Sequence, residues 1–189
     1  MFDIGEVQEI RLFRGLDPFQ MAALLDGCAR KVRYLAGEEI FAEGSLGTEV
    51  YLLPRGRVKI LLDQGGADQQ EILVRGPEVF GEMAFLDQSP RSAAAIAADD
   101  LEVYVLDREP AQAFMTARPE IGLTVMRNLT AILARKLRQT NAILLQEVRR
   151  LHHRPPTPTQ PLPEAGLEDS IDTFVRRRNS QRMVRSIVP

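Results

Sequence analysis

The 189-residue chain holds one cysteine, Cys28, and two histidines, the adjacent pair His152 and His153. A single thiol excludes an intramolecular disulfide framework. With no further cysteine or histidine in ligand spacing, no metal site is expected. Cys28 sits among apolar residues at helical spacing and reads as a packed side chain, and the two histidines read as an exposed helix end. An excess of charge of one sign is also missing: 24 Lys and Arg against 26 Asp and Glu leave a formal net charge of −2, so there is no global basic field to attract nucleic acid. No apolar run approaches the roughly 18 residues of a membrane span. The start, Met1-Phe2-Asp3, lacks the basic and apolar regions of a signal peptide, and together these absences predict a cytoplasmic protein in reducing surroundings. No Walker loop, no dinucleotide fingerprint after a strand and no Ser-His-acid set in a structural setting is present, so no catalytic residue is assigned and the chain is not read as an enzyme.

What is present is a change of hydrophobic period along the chain. From Ile10 to Cys28 the apolar residues Leu12, Phe13, Leu16, Phe19, Ala22, Ala23 and Leu25 recur at helical spacing, broken by Gly15 and Pro18, which predicts two small helices. The period then becomes two: Val32 with Tyr34, Ile40, Val50 with Leu52, Val58 with Ile60, Ile72 with Val74, and Val103 with Val105 read as short, half-buried strands. Glycines at 37, 44, 47, 56, 65, 66 and 76 fall between them as turns. Seven or eight strands are expected between Arg30 and Asp107, in an antiparallel β-roll or jelly roll.

Beyond Asp107 helix takes over, first over Glu109 to Ala117 and then from Pro119, a residue suited to the first helical position. In this second, long helix Leu123, Met126, Thr130, Leu133, Leu137, Thr140, Leu144, Glu147 and Leu151 alternate by steps of three and four, the seam of a helix packing against its own copy. A second stripe of Val125, Leu129, Ile132, Ile143 and Val148 is expected to face the β-roll. The fold class is therefore mainly β with flanking helices (α+β): a roll, short N-terminal helices and a long C-terminal dimerisation helix, all within residues 1–153. Five of the nine residues from Pro155 to Pro163 are proline, which ends the helix and predicts an extended linker over 154–166. The remaining tail, 167–189, carries the clusters Ile171-Phe174-Val175 and Met183-Val184-Ile187 around a basic stretch that includes Arg176-Arg177-Arg178.

The stretch from Phe80 to Ala95 carries the chemistry. Gly81 and the small residues after it permit close approach of backbone N–H groups to an anion. Arg91 supplies a planar fork for two phosphate oxygens, and Ser92 adds a hydroxyl donor. Glu82 repels phosphate, so it makes sense there only if it accepts from hydroxyls, such as those of a ribose, or pairs with an arginine. An anion-binding group beside a hydroxyl-binding group suggests a sugar phosphate.

Four motifs in order, Leu12-Phe13-Arg14-Gly15-Leu16, Gly37 to Gly44, Tyr51 to Val58 and this cassette, resemble the cyclic-nucleotide-binding domain family of bacterial catabolite activators, cAMP-dependent protein kinase regulatory subunits and cyclic-nucleotide-gated channels. The resemblance runs from about Leu12 to Leu151. It implies that the cyclic phosphate is held by Arg91, Ser92 and backbone N–H groups near Met83 and Ala84, with Gly81 and Ala93 as cassette residues and Glu82 on the ribose 2′-hydroxyl. Thr140 and Asn141 fall near the pair that in the bacterial activators reaches adenine across the dimer, which implies cAMP, with cGMP as the alternative. The resemblance departs after Leu151, where the proline-rich linker and short tail stand in place of a helix-turn-helix domain. No sequence-specific DNA binding is expected, and the tail is assigned to an unknown protein partner. The competing expectation is a ligand-free scaffold that keeps the fold for dimerisation alone.

Overall fold

The computed structural model describes residues 2–62 and 70–152, without the side chains of Glu147, Leu151 and His152. The turn expected at Gly65-Gly66, the last two seam positions Glu147 and Leu151, the histidine pair, the linker and the tail thus lie outside the described residues or side chains. Residues 1–144 form one compact unit, and the end of the long helix from Leu145 belongs to a second.

The N-terminal segment folds as α1 (Ile4–Val7), a 3-10 turn (Arg11–Phe13) and α2 (Pro18–Cys28). Gly15 adopts a φ of 85°, which breaks the helical run where the sequence places it. The start of α2 is set by a capping box: the Asp17 carboxylate accepts from the Gln20 N–H, the Gln20 side chain accepts from the Asp17 N–H, and Pro18 occupies the first turn, two of the orphan donors being satisfied reciprocally. Leu12, Phe13, Leu24 and Leu25 are buried, but Phe19, expected on the apolar face, is 88% exposed because the capping geometry turns it outward.

Eight strands follow: β1 (Ala29–Tyr34), β2 (Glu39–Phe41), β3 (Val50–Leu53), β4 (Arg57–Leu62), β5 (Gln70–Arg75), β6 (Glu78–Phe80), β7 (Ala94–Ala97) and β8 (Leu101–Leu106), with α3 (Glu82–Asp87) between β6 and β7. They make two four-stranded sheets, in the orders β1-β8-β3-β6 and β2-β7-β4-β5, every pairing antiparallel. This is the expected roll. The two strands with no sequence signal, β6 and β7, are too short or too alanine-rich to show alternation, and they flank the cassette.

The period-two residues of the first sheet go to different cores. Tyr51, Leu53, Val103 and Val105 pack between the sheets with Val58, Phe80, Ala95 and Ala97. Val50, Leu52, Tyr104 and Leu106 point the other way, into a core shared with α2, α4 (Arg108–Ala117) and α5 (Pro119–His152). Strands β3 and β8 are therefore buried on both faces rather than half-buried, because helices cover the face that a two-layer roll leaves to water.

Helix α5 docks through Val125, Leu129 and Ile132, each at most 2% exposed. Buried Asn128 donates from Nδ2 to the carbonyls of Leu12 (2.8 Å) and Arg14 (2.7 Å), tying the helix to the N-terminal segment. Farther along the expected roll-facing stripe, Ile143 is 50% exposed. Between these positions Arg135 and Lys136 bond to the roll through Glu78, Val79 and Glu82. On the seam, Leu123, Leu137 and Leu144 are 73%, 62% and 60% exposed.

Candidate functional site

The cassette is shaped by two residues with left-handed backbone. Gly81 (φ 74°) precedes α3 and Gln88 (φ 61°) ends it, the Gln88 N–H closing on the Ala84 carbonyl at 3.0 Å. Gly81 is required twice over: a Cβ there would lie 2.8 Å from Arg91 Nη1 and 3.1 Å from the Tyr51 ring, besides straining the backbone. The first N–H groups of α3 have no carbonyl partner within the helix. Among them, Met83 is half exposed while Ala84 is buried.

Arg91 is fixed from both chain directions. Its N–H donates to the Ser45 carbonyl (2.9 Å) and its carbonyl accepts from the Gly44 N–H (2.8 Å), so the cassette is pinned to the loop that leads into β3. Although charged, Arg91 is only 4% exposed. Nη1 donates to the carbonyls of Glu49 (2.9 Å) and Gly81 (3.0 Å), and Nη2 donates to Glu49 Oε2 (2.8 Å). One face of the guanidinium lies 4.3 Å from the Phe41 ring centre and 5.5 Å from that of Tyr51, within cation–π range. Burial, with a smaller contribution from the Glu49 charge, pushes the Tyr51 phenol up to about 12, so it stays neutral beside the fork. Buried Nε has no hydrogen-bond partner among the described residues.

Glu82 is 5% exposed. The sequence offered it a ribose or an arginine; the structure gives it a lysine. Lys136 Nζ, from α5, donates to both carboxylate oxygens at 2.9 Å and to the Val79 carbonyl at 2.8 Å, which uses all three ammonium protons. Next to it, Arg135 pairs with Glu78 on β6. Lys136, Arg135 and Glu49 were not foreseen. Adjacent basic residues on an amphipathic helix look like a solvated edge, and only the sheet packed beneath shows that they reach the half-buried Glu78 and the buried Glu82.

Gly81, Glu82, Met83, Ala84, Arg91, Ser92 and Ala93 are thus brought together around one turn. Ser92 is exposed, its hydroxyl 3.7 Å from Met83 Sδ, and Ala93 is buried. Thr140 and Asn141 are exposed on α5, beyond Lys136, and no hydrogen bond joins them to the cassette among the described residues. Among those residues there is also no cluster of three or more potential metal ligands and no helix long and apolar enough to cross a membrane.

This arrangement has known counterparts. Residues 31–118 match the cyclic nucleotide-binding domain family. The cyclic AMP receptor protein of Thermus thermophilus is 37% identical over 131 residues, covering 69% of this chain and 58% of its own length; the match thus spans less than two thirds of that relative. The crystal structure of the catabolite activator protein of the same organism superposes with a TM-score of 0.64 at 34% identity, over 73% of this chain and 63% of that one. A cyclic nucleotide-binding domain from Methylobacillus flagellatus, at 23% identity, shares the fold with a TM-score of 0.69 over 76% of this chain and 81% of its own. Roll, cassette and comparisons agree: over residues 31–118 the chain carries a cyclic nucleotide-binding domain, similar to that of the catabolite activator protein of Thermus thermophilus.

Proposed function

We propose that this protein is a sensor that binds a 3′,5′-cyclic mononucleotide, cAMP in preference to cGMP, and passes the binding event to α5. The observation that carries the reading is Arg91: an arginine that is 4% exposed, in a cassette of small residues, with a buried N–H left without a partner among the described residues. Burying a guanidinium is costly unless its donors are matched, and an anionic phosphate is the match for the remaining donor. Glu82 supplies the acceptor for the ribose hydroxyl, Ser92 a further donor, and the backbone N–H groups of Met83 and Ala84 the anion nest. The preference for adenine rests on the relative named as a cyclic AMP receptor and on Thr140 and Asn141 reaching the base from a second copy. That second copy pairs through α5, whose exposed Leu123, Leu137 and Leu144 require cover.

The relay runs through Lys136. A ribose hydroxyl donating to Glu82 weakens the hold of the carboxylate on Lys136 and so shifts α5 relative to the roll. The reader of that shift is a protein partner, engaged through the chain beyond residue 153, in the cytoplasm. Catalysis has no part in this reading. A second reading, a ligand-free dimerisation scaffold, draws on the same ion pairs: Arg91 and Glu82 each already hold an internal counterion. Calorimetric titration with cAMP, cGMP and a cyclic dinucleotide separates the two. The sensor requires saturable one-to-one binding of a cyclic mononucleotide per chain, and the scaffold requires no heat from any of the three.

A further inference from the structure

Arg91 has five N–H donors, and the structure divides them. Nη1 spends both of its protons on the carbonyls of Glu49 and Gly81, and Nη2 spends one on Glu49 Oε2. What remains is one Nη2 proton and Nε–H, the latter buried and without a hydrogen-bond partner among the described residues. Nε and Nη2 face Gly47, and so does the Glu49 carboxylate: a Cβ at that position would lie 2.9 Å from Nη2, 3.0 Å from Nε and 3.0 Å from Glu49 Oε2. Gly47 is not among the glycines with positive φ, so its backbone is one that any residue adopts, and what a side chain would change is the space beside the fork. Phe41 closes one face of the guanidinium plane, which leaves the group little freedom to turn.

We propose that Glu49 is a positioning residue for the phosphate: it holds the Arg91 fork in place, through its own carbonyl and its carboxylate, so that the unpartnered Nε–H is presented ready-made to a phosphate oxygen. The inference rests on the cyclic-nucleotide reading above and adds to it. Two acceptors from one residue fix the fork in its plane, and a fork already held in place loses less freedom when the ligand arrives. The carboxylate of Glu49 is 30% exposed while the Arg91 side chain is 2% exposed, so Glu49 is the outer member of the pair and acts on the ligand only through Arg91. An acid this close to a phosphate site has one other role open to it, that of a competing internal anion which the ligand must displace. The two roles predict opposite signs.

The test is calorimetry of the full chain with cAMP, for the wild type, Glu49→Ala and Glu49→Gln. A positioning role predicts that Glu49→Ala weakens binding by about tenfold, the loss of one charge-assisted hydrogen bond. Glu49→Gln, whose amide oxygen still accepts from Nη2, stays within about threefold of the wild type. The side-chain Nε–H resonance of Arg91, identified by its loss in Arg91→Lys, is expected to shift when wild-type protein is saturated with cAMP and to shift less in Glu49→Ala. Unchanged or tighter binding by Glu49→Ala, or an Nε–H signal that stays put at saturation, overturns the proposal. The tighter binding would identify Glu49 as the competing anion. If Glu49→Ala fails to fold, the Nε–H signal of the wild type and the affinity of Glu49→Gln still decide. A wild type that binds no cyclic nucleotide brings down the functional reading itself, whereas wild-type binding with an indifferent Glu49→Ala brings down only this inference.

Discussion

Lys136 on the long helix holds both carboxylate oxygens of Glu82 at 2.9 Å, so the acid at the start of the cassette and the helix that leaves the roll are joined by one ion pair. Glu82 is almost fully buried, and its charge is tolerable because the ammonium and the geometry match it.

Removing one partner should therefore cost far more than removing both. Lys136→Met is expected to destabilise the protein by about 3 kcal/mol, toward the low end for a broken buried pair because the lysine keeps some solvent contact. Lys136→Met combined with Glu82→Gln should recover much of that loss. Urea denaturation of the two variants checks this, and a single variant as stable as the wild type would mean the pair does not form in solution.

For ligand binding, Arg91→Ala is expected to be the more damaging of the two cassette substitutions. It removes the fork and leaves phosphate poorly compensated, at a cost on the order of 2–4 kcal/mol in cAMP affinity. Glu82→Gln keeps an acceptor for the ribose hydroxyl and should weaken binding by less than Arg91→Ala. Calorimetry on both measures the order, and equal affinity of wild type and Arg91→Ala removes the phosphate assignment.

Dimerisation through α5 predicts that Leu137→Glu yields monomer, because a glutamate at a closed seam would be buried unpaired in both copies. Leu137 is 62% exposed within one chain, so the substitution leaves the monomer fold alone. Light scattering at high micromolar concentration reads the outcome, and a wild type that is already monomeric with and without ligand rules the seam out.

The last expectation concerns alkaline pH. Burial raises the Cys28 thiol to about 11 from 9.0. Burial, joined by smaller effects, raises the phenols of Tyr51 and Tyr104 to about 12 from 10.0. The folded protein thus keeps protons that the unfolded chain gives up, and stability falls wherever the folded state binds more of them. The contribution of these three groups is complete below about pH 9 and is lost as pH rises toward about 12. Urea midpoints at about pH 8 and about pH 10.5 should show the fall, and they should shift least between about pH 7 and pH 8.

Which parts of this molecule were legible in advance follows from how local their causes are. The break at Gly15, the start of α5 at Pro119 and the alternation in β1, β3, β4, β5 and β8 are written in short stretches of sequence, because backbone conformation and side-chain period are set within a few residues. The cassette is one continuous run from Phe80 to Ala95, and it was legible through its resemblance to a known family. What the tertiary structure alone decided are the pairings across long separations. Examples are Glu49 on Arg91, Lys136 on Glu82, Asn128 on the carbonyls of Leu12 and Arg14, and the burial of β3 and β8 on both faces. A buried charge finds its counterion wherever the fold places one, and the electrostatic cost of leaving it alone depends on the walls around it, which no window of sequence contains. Along α5 the same helical pattern is buried at Val125, Leu129 and Ile132 and exposed at Leu137, Ile143 and Leu144, a difference set by what the fold places beside each turn and not by the residues themselves.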